Sequence, residues 1–160
     1  MLKRIITVML AVVFTAMLAG CSGYQMTEKD MAMQRAIRGF WTPDVSTGYN
    51  TYDENGDLTE LLVIEFTEDF NYFIHTCYVQ NGYTMTDPPI SYSFKNENFK
   101  VDVNGVASYA RVSVSDDGQT MKWITDTQTD IYNRLDEESA RALGVPIYNK
   151  EAWTSNDTGE

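Results

Sequence analysis

His75 and Cys77 are the two side chains whose types and spacing could do chemistry together. His75 is the only histidine of the chain, and Cys77 lies two residues after it. In a strand, positions i and i+2 share a face, and a thiol–imidazole pair within hydrogen-bond reach could act as a nucleophile in a setting that favours the thiolate. The surrounding segment is rich in apolar residues, where a cysteine behaves as a small buried hydrophobe. We therefore predict two packing residues and no enzymatic activity.

Two features of the sequence partly match known metal-binding patterns. The segment from Asp53 to Asp57 begins like a calcium-binding loop, but such a loop needs glycine at its sixth place and an acid at its twelfth. Leu58 and Ile64 occupy those places, so Asn55-Gly56 favours a hairpin turn instead. Zinc needs three or four nitrogen, sulfur or carboxylate ligands, and one histidine with one cysteine falls short. We predict no metal site and no cofactor.

Acidic residues near predicted strand ends are a further route to catalysis; they are Asp69, Asp116, Asp117, Asp126 and Asp130. A glycosidase pair must be held about 5–10 Å apart in a cleft, and the pattern shows no such arrangement. The chain also has no Gly-rich phosphate loop and no G-x-S-x-G nucleophile motif. These acids are predicted to lie in solvated loops.

The elements that would position these residues follow a period-2 alternation. Apolar residues alternate with polar ones in successive short segments, which is typical of antiparallel strands with one buried face. Eight strands are predicted: one around Trp41, and others at 61–67, 71–80, 90–95, 99–104, 110–114, 121–123 and 131–134. Turn dipeptides such as Asn104-Gly105 and Asp117-Gly118 separate several of them. Strands in this order suit a sandwich or a closed up-and-down barrel.

Short helices flank the predicted strands. Thr27 is a typical N-cap, with Asp30 in the first turn, and Gly39 ends this N-terminal helix. Met31 and Ile37 are expected on its apolar side. Residues 136–143 are predicted to form a short C-terminal helix, and residues 144–160 a tail with apolar residues that could dock on the barrel.

The first residues resemble an export signal. Basic Lys3 and Arg4 precede an apolar run from Ile5 to Met17, which is shorter than the roughly 20 residues that a membrane-spanning helix needs. Leu18-Ala19-Gly20-Cys21 then resembles the lipobox of bacterial lipoproteins. That resemblance implies a signal peptide at 1–20, a lipid such as palmitate on Cys21, a tether at 21–26, and a lipid-anchored protein of the cell or outer membrane that faces away from the cytoplasm.

The β region resembles the short bacterial lipocalin-like domains. Gly39-Phe40-Trp41 opens the first strand, and Tyr132-Asn133-Arg134 lies at the end of the eighth. The resemblance implies a lipocalin-like domain at 27–143 with a closed eight-stranded barrel. It also implies a structural pair in which Arg134 lies across Trp41 and helps to seal one end. The fold class expected is therefore mainly β, with an eight-stranded antiparallel up-and-down barrel between the two short helices.

A barrel interior could hold a small molecule. Tyr92, Phe94, Phe99 and Trp123 fall on the apolar phase of their strands, and we predict that they line a ligand site, with plain core packing as the alternative. From residue 21 onward the chain has 10 basic and 23 acidic residues, a formal charge of −13, which repels nucleic acid. The expected function is non-catalytic binding of a small apolar or amphipathic molecule at the envelope. The alternative is a filled barrel that binds an envelope protein.

Overall fold

The structure, a computed structural model, describes residues 26–147. The predicted signal peptide, the lipidation site at Cys21 and the tether up to residue 25 lie outside these residues. The predicted tail beyond residue 147 lies outside them as well.

The described chain consists of ten strands and two α-helices. In chain order they are α1 (Glu28–Ile37), β1 (Gly39–Pro43), β2 (Thr51–Tyr52), β3 (Leu58–Phe66), β4 (Asn71–Tyr78), β5 (Tyr83–Thr86), β6 (Ile90–Lys95), β7 (Asn98–Val103), β8 (Val106–Val114), β9 (Thr120–Ile124), β10 (Thr129–Leu135) and α2 (Glu137–Ala142). Single 3₁₀ turns lie at Val45–Thr47 and Val79–Asn81. No helix among these residues has the length and apolar composition needed to cross a membrane.

Eight of the strands close into an antiparallel barrel. Their order around the barrel is β1-β3-β4-β6-β7-β8-β9-β10, and β10 pairs again with β1, where Trp41 lies opposite Arg134. Closure removes the two long free edges that an open sheet of these eight strands would have. The predicted fold class is confirmed, and the eight barrel strands coincide with the eight strands predicted from the sequence.

The two remaining strands, β2 and β5, are short additions at one end. β2 pairs with the start of β3, and β5 pairs with the second half of β4. β6 pairs only with the first two residues of β4, so β5 and β6 together flank that strand. Asp87-Pro88-Pro89 separates them, because proline has no N–H to donate to the ladder. Neither short strand was predicted from the sequence.

Helix α1 closes the opposite end of the barrel. Thr27 and Asp30 form a capping box, in which each side chain accepts a hydrogen bond from the backbone N–H of the other residue. The buried side of the helix consists of Asp30, Gln34 and Ile37. Met31 is 42% exposed, so its predicted place on the apolar side is wrong. Polar Asp30 takes the inward position instead because two backbone N–H groups lie there.

The second of these N–H groups belongs to the β6–β7 turn. Asn96 and Glu97 both have positive φ in this turn, 52° and 65°, without glycine. Asp30 Oδ1 accepts a hydrogen bond of 2.8 Å from the Glu97 N–H, and Lys29 Nζ lies 2.7 Å from Glu97 Oε1. Asparagine adopts this region readily and glutamate does not, so the contacts from α1 support the turn at Glu97.

Trp41 and Arg134 join the end of α1 to the barrel. The Trp41 indole is fully buried and donates a 2.6 Å hydrogen bond to the Ile37 carbonyl. The Arg134 guanidinium carbon lies 4.2 Å from the centroid of the Trp41 ring. Arg134 also donates to three backbone carbonyls, Ala36 at 2.7 Å, Arg38 at 2.8 Å and Gly118 at 2.5 Å. Three consecutive carbonyls at the end of α1 thus receive side-chain donors.

The backbone conformation at position 39 and the nearby Arg134 side chain together favour glycine at this position. Its φ is +103°, a region that side chains with a Cβ rarely adopt, and a Cβ there would lie 3.2 Å from Arg134 Nη1. The Gly-x-Trp motif thus places a backbone bend directly below the guanidinium.

A second apolar cluster lies on the outer face of the barrel. It contains Phe40, Val63, Cys77, Ala140 and Val145, so α2 and the residues after it cover strands β1, β3 and β4. Val145 is only 4% exposed. The first residues of the predicted tail therefore pack against the domain.

Candidate functional site

The barrel interior is filled near α1 and hollow at the other end. Next to α1, Phe66, Tyr92, Phe94 and Phe99 pack against one another, with ring centroids 5.0–6.0 Å apart. Beyond them lies a cavity of about 300 Å³, a volume at the lower end of the range for small-molecule sites. The described residues lining it are Tyr49, Leu62, Ile64, Phe66, Tyr72, Ile74, Trp123, Thr125, Gln128, Asp130 and Tyr132.

The walls come from the inward-facing residues of four strands. Strands β3 and β4 supply an aliphatic side through Leu62, Ile64 and Ile74. β9 and β10 supply a more polar side, in which Trp123 lies directly opposite Asp130 and Tyr132 follows two residues later. Because side chains alternate along a strand, closure of the barrel brings these positions to one space.

A hydrogen-bonded polar cluster of three residues lies at the mouth of the cavity. Tyr49 Oη donates to Asp130 Oδ2 at 3.1 Å, and Gln128 Nε2 donates to the same oxygen at 2.8 Å. Gln128 Nε2 also lies 3.0 Å from Tyr49 Oη. The Asp130 side chain is buried, whereas Tyr49 is 45% exposed. The mouth therefore combines an enclosed carboxylate with an aromatic ring at the surface.

Two short loops position this cluster. After β1, Asn50 donates from Nδ2 to the Pro43 carbonyl and accepts from the Leu62 N–H, which fixes the backbone next to Tyr49. Between β9 and β10, the Thr125 N–H donates to the Gln128 carbonyl at 2.9 Å, and Thr125 Oγ1 accepts from the Gln128 N–H. Both loops are held by their own hydrogen bonds, so the polar groups at the mouth are preorganised.

Burial keeps the tyrosines of the cavity neutral. It raises the pKa of Tyr132 well above its usual range, and the nearby Asp130 charge adds to that effect. Burial also raises the pKa of Tyr72, and burial together with the hydrogen bond to Asp130 raises the pKa of Tyr49. Near neutral pH these three side chains therefore present uncharged rings and hydroxyl groups.

The four residues predicted to bind a ligand divide into two groups. Trp123 lines the cavity. Tyr92, Phe94 and Phe99 lie in the filled part of the barrel, and Phe99 contacts Trp123 with ring centroids 4.4 Å apart. These three side chains therefore belong to the packed core below the cavity, and they do not line the cavity itself.

Asp130 differs from its predicted setting. It was predicted to lie in a solvated loop, but it is 9% exposed and lies on the inner face of β10. The alternation in β10 indicates the inward position of Asp130, because Asp130 shares a face with Tyr132 and Arg134. Tyr49 and Gln128 lie in loops, where no periodicity marks an inward position.

His75 and Cys77 are buried on the outer face of β4. His75 Nδ1 lies 2.9 Å from Thr86 Oγ1, and Nε2 lies 3.2 Å from Glu65 Oε2. Burial raises the pKa of the Cys77 thiol, although a hydrogen bond with Thr84 partly offsets the effect. This setting disfavours the thiolate that nucleophilic chemistry would require.

The segment that begins like a calcium-binding loop, Asp53 to Asp57, forms a hydrogen-bonded turn. Asp53 Oδ1 accepts hydrogen bonds from the Asn55 and Asp57 N–H groups and so shapes the turn before β3. Within residues 26–147, no three histidine, cysteine or acidic side chains are grouped in a way that could hold a metal ion.

A second concave surface lies outside the barrel, between α1 and β8. This groove has a volume of about 810 Å³, with an apolar floor that includes Ala32, Met33 and Val114. Basic Arg35 and Arg111 lie among its lining residues.

A scan against models of protein families finds no match, and a search of curated proteins finds no significant relative. The geometry of the barrel is therefore the basis for a functional proposal.

Proposed function

We propose that this protein is a lipid-anchored lipoprotein of the cell envelope, whose barrel binds a small apolar or amphipathic molecule without transforming it. The observation that carries the binding function is the cavity of about 300 Å³. Aliphatic and aromatic side chains form most of its lining, and a few polar groups converge at its mouth, as is typical of small-molecule sites.

The direction of the mouth supports exchange with the aqueous phase. Met26 packs against the barrel core at the α1 end, and the proposed lipid attachment at Cys21 is five residues before it. The cavity opens at the opposite end, beside Tyr49 and Gln128. A protein anchored through Cys21 would then hold its closed end towards the membrane and its mouth away from it.

Native mass spectrometry of the full-length protein tests the binding function. We expect a small molecule to copurify with the wild type and to be lost from Ile74→Trp, because the larger ring fills the cavity. Val106→Trp is the matched control, since it adds the same ring at a position that is 68% exposed on β8. Preparations that are empty in the wild type and in both variants would contradict binding in the barrel.

Replacement of Cys21 tests the anchoring function. Serine has no thiol to acylate, so Cys21→Ser should yield an uncleaved precursor or a wrongly released protein. Membrane fractionation and intact-mass measurement distinguish the two forms from the lipidated protein. Unchanged processing and membrane attachment of the variant would refute the lipoprotein proposal.

The groove beside α1 favours a second candidate, a module that binds an envelope protein. The described charged residues that line this groove are four basic ones and two acidic ones, namely Lys29, Arg35, Arg111, Arg134, Glu97 and Asp116. An apolar floor with this excess of basic residues is suited to a partner with an acidic surface. A photoreactive residue at Ala32 would then crosslink to one envelope protein, whereas the same residue at Val106 would not. An empty cavity together with such a specific crosslink would replace the first candidate by the second.

A further inference from the structure

Asp130 brings a negative charge into the barrel that no basic side chain compensates. It is the one charged residue among the described residues that line the cavity. Its two hydrogen-bond donors, Tyr49 and Gln128, are neutral, and both bind Oδ2. In the described part of the chain, no donor reaches Oδ1 and no lysine, arginine or histidine forms an ion pair with this carboxylate. The Asp130 side chain is only 9% exposed, so its carboxylate is largely enclosed, and its second oxygen is available to a cationic donor of a ligand.

The surroundings of the carboxylate are suited to an organic cation. Trp123 lies opposite Asp130 across the β9–β10 ladder, and Tyr132 and Tyr49 supply two further rings. Aromatic faces attract cations through their quadrupole, by roughly 0.5–2 kcal/mol for each favourable contact. The strongly acidic chain adds a field that draws cations towards the protein.

The opposite wall is aliphatic. Leu62, Ile64 and Ile74 have no group that could solvate a charge, so this side of the cavity accommodates a hydrocarbon portion. The cavity of about 300 Å³ has the volume of roughly ten water molecules at about 30 Å³ each. A ligand of about that number of non-hydrogen atoms fits.

We propose that the barrel cavity binds a small amphipathic cation, an amine or ammonium compound whose charged group lies between Asp130 and Trp123 and whose hydrocarbon portion packs against the aliphatic wall. This inference rests on the proposed binding function and names the chemical class of its ligand.

Three probes of similar shape and different charge test the proposal. They are cyclohexylmethylamine, cyclohexylmethanol and cyclohexanecarboxylate, each titrated calorimetrically into the purified full chain at neutral pH. We expect the amine to bind about tenfold or more tightly than the alcohol, which corresponds to about 1.4 kcal/mol, and the carboxylate to bind most weakly.

Two variants assign the preference to Asp130. Asp130→Asn should abolish the advantage of the amine and leave the affinity for the alcohol within about threefold, because the amide keeps the shape and loses the charge. Asp126→Asn removes the same charge from the neighbouring exposed loop and should leave both affinities unchanged.

The outcomes separate this inference from the proposed function. If the alcohol binds the wild type as tightly as the amine, or if Asp130→Asn keeps the preference, the cationic ligand is refuted and binding in the barrel stands. If none of the probes binds and no molecule copurifies, both proposals fail. The wild-type series decides the charge preference by itself, so the test does not depend on the folding of a variant.

Discussion

Arg134 stacks on the Trp41 indole ring and also forms hydrogen bonds to backbone carbonyls. Its guanidinium contacts the face of Trp41 and donates to the Ala36, Arg38 and Gly118 carbonyls, while Trp41 itself donates to the Ile37 carbonyl. The last carbonyls of a helix have no partner within the helix. These two residues supply that partner and so attach α1 to the barrel.

A double-mutant cycle tests this pair. We expect Trp41→Ala to lower the free energy of unfolding by about 3–5 kcal/mol, because it empties a fully buried site. Arg134→Ala should lower it by about 2–3 kcal/mol, because three partly buried carbonyls lose their donors. The double variant should depart from additivity by about 0.5 kcal/mol or more. Urea unfolding followed by circular dichroism measures all three, and strict additivity would show that the two residues act independently.

At the scale of elements, α1 and the β6–β7 turn stabilise each other through Asp30. One carboxylate oxygen completes the capping box with the Thr27 N–H, and the other accepts from the Glu97 N–H. The turn has positive φ at two residues that are not glycine. The conformation of one element therefore depends on a side chain of another that is about 67 positions away in the chain.

Removal of the Asp30 carboxylate should affect both elements. We expect Asp30→Ala to cost about 1–3 kcal/mol, since two partly buried N–H groups lose their acceptor. Glu28→Ala is the matched control, because it removes an exposed acid from the same helical turn. Urea unfolding compares the two variants, and equal costs would show that neither hydrogen bond of Asp30 contributes to stability.

At the scale of the whole molecule, stability should fall at alkaline pH. Burial raises the pKa of Tyr92 to about 12, with Asp69 adding to the effect and Gln34 and Arg38 opposing it. An unfolded tyrosine titrates near 10, so between about pH 10 and 12 the unfolded chain loses a proton that the folded chain keeps. The contribution of Tyr92 is therefore complete below pH 10 and is lost as the pH rises through this window.

Tyr92→Phe tests the assignment. The free energy of unfolding of the wild type should decrease between pH 10 and 12 more steeply than that of Tyr92→Phe, by up to about 1.4 kcal/mol per pH unit. Tyr109→Phe changes a tyrosine that is 58% exposed and should leave the slope unchanged. Parallel slopes for all three proteins would rule out Tyr92 as a source of alkaline instability.

The eight barrel strands and their order along the chain are predictable from the sequence, whereas the short strands β2 and β5 are not. Alternation marks an inward and an outward face wherever one side of a sheet is buried, and this pattern located most of the barrel strands. Local chemistry placed Thr27 at the start of α1, because capping involves only residues that are close in the chain. Trp41 and Arg134 were predicted as partners from a resemblance, and the three carbonyls that bind Arg134 were not.

The position of the hollow part of the barrel depends on tertiary packing. Alternation shows that Tyr92, Phe94, Phe99 and Trp123 point inwards, but the space along the barrel depends on the summed volumes of side chains from eight strands. Near α1 those volumes fill the interior, and beside Asp130 and Tyr49 they do not. Two further features likewise depend on contacts between distant segments. His75 is buried next to Thr86 and Glu65, and Asp30 supports the β6–β7 turn at Glu97. A local sequence pattern does not predict such contacts.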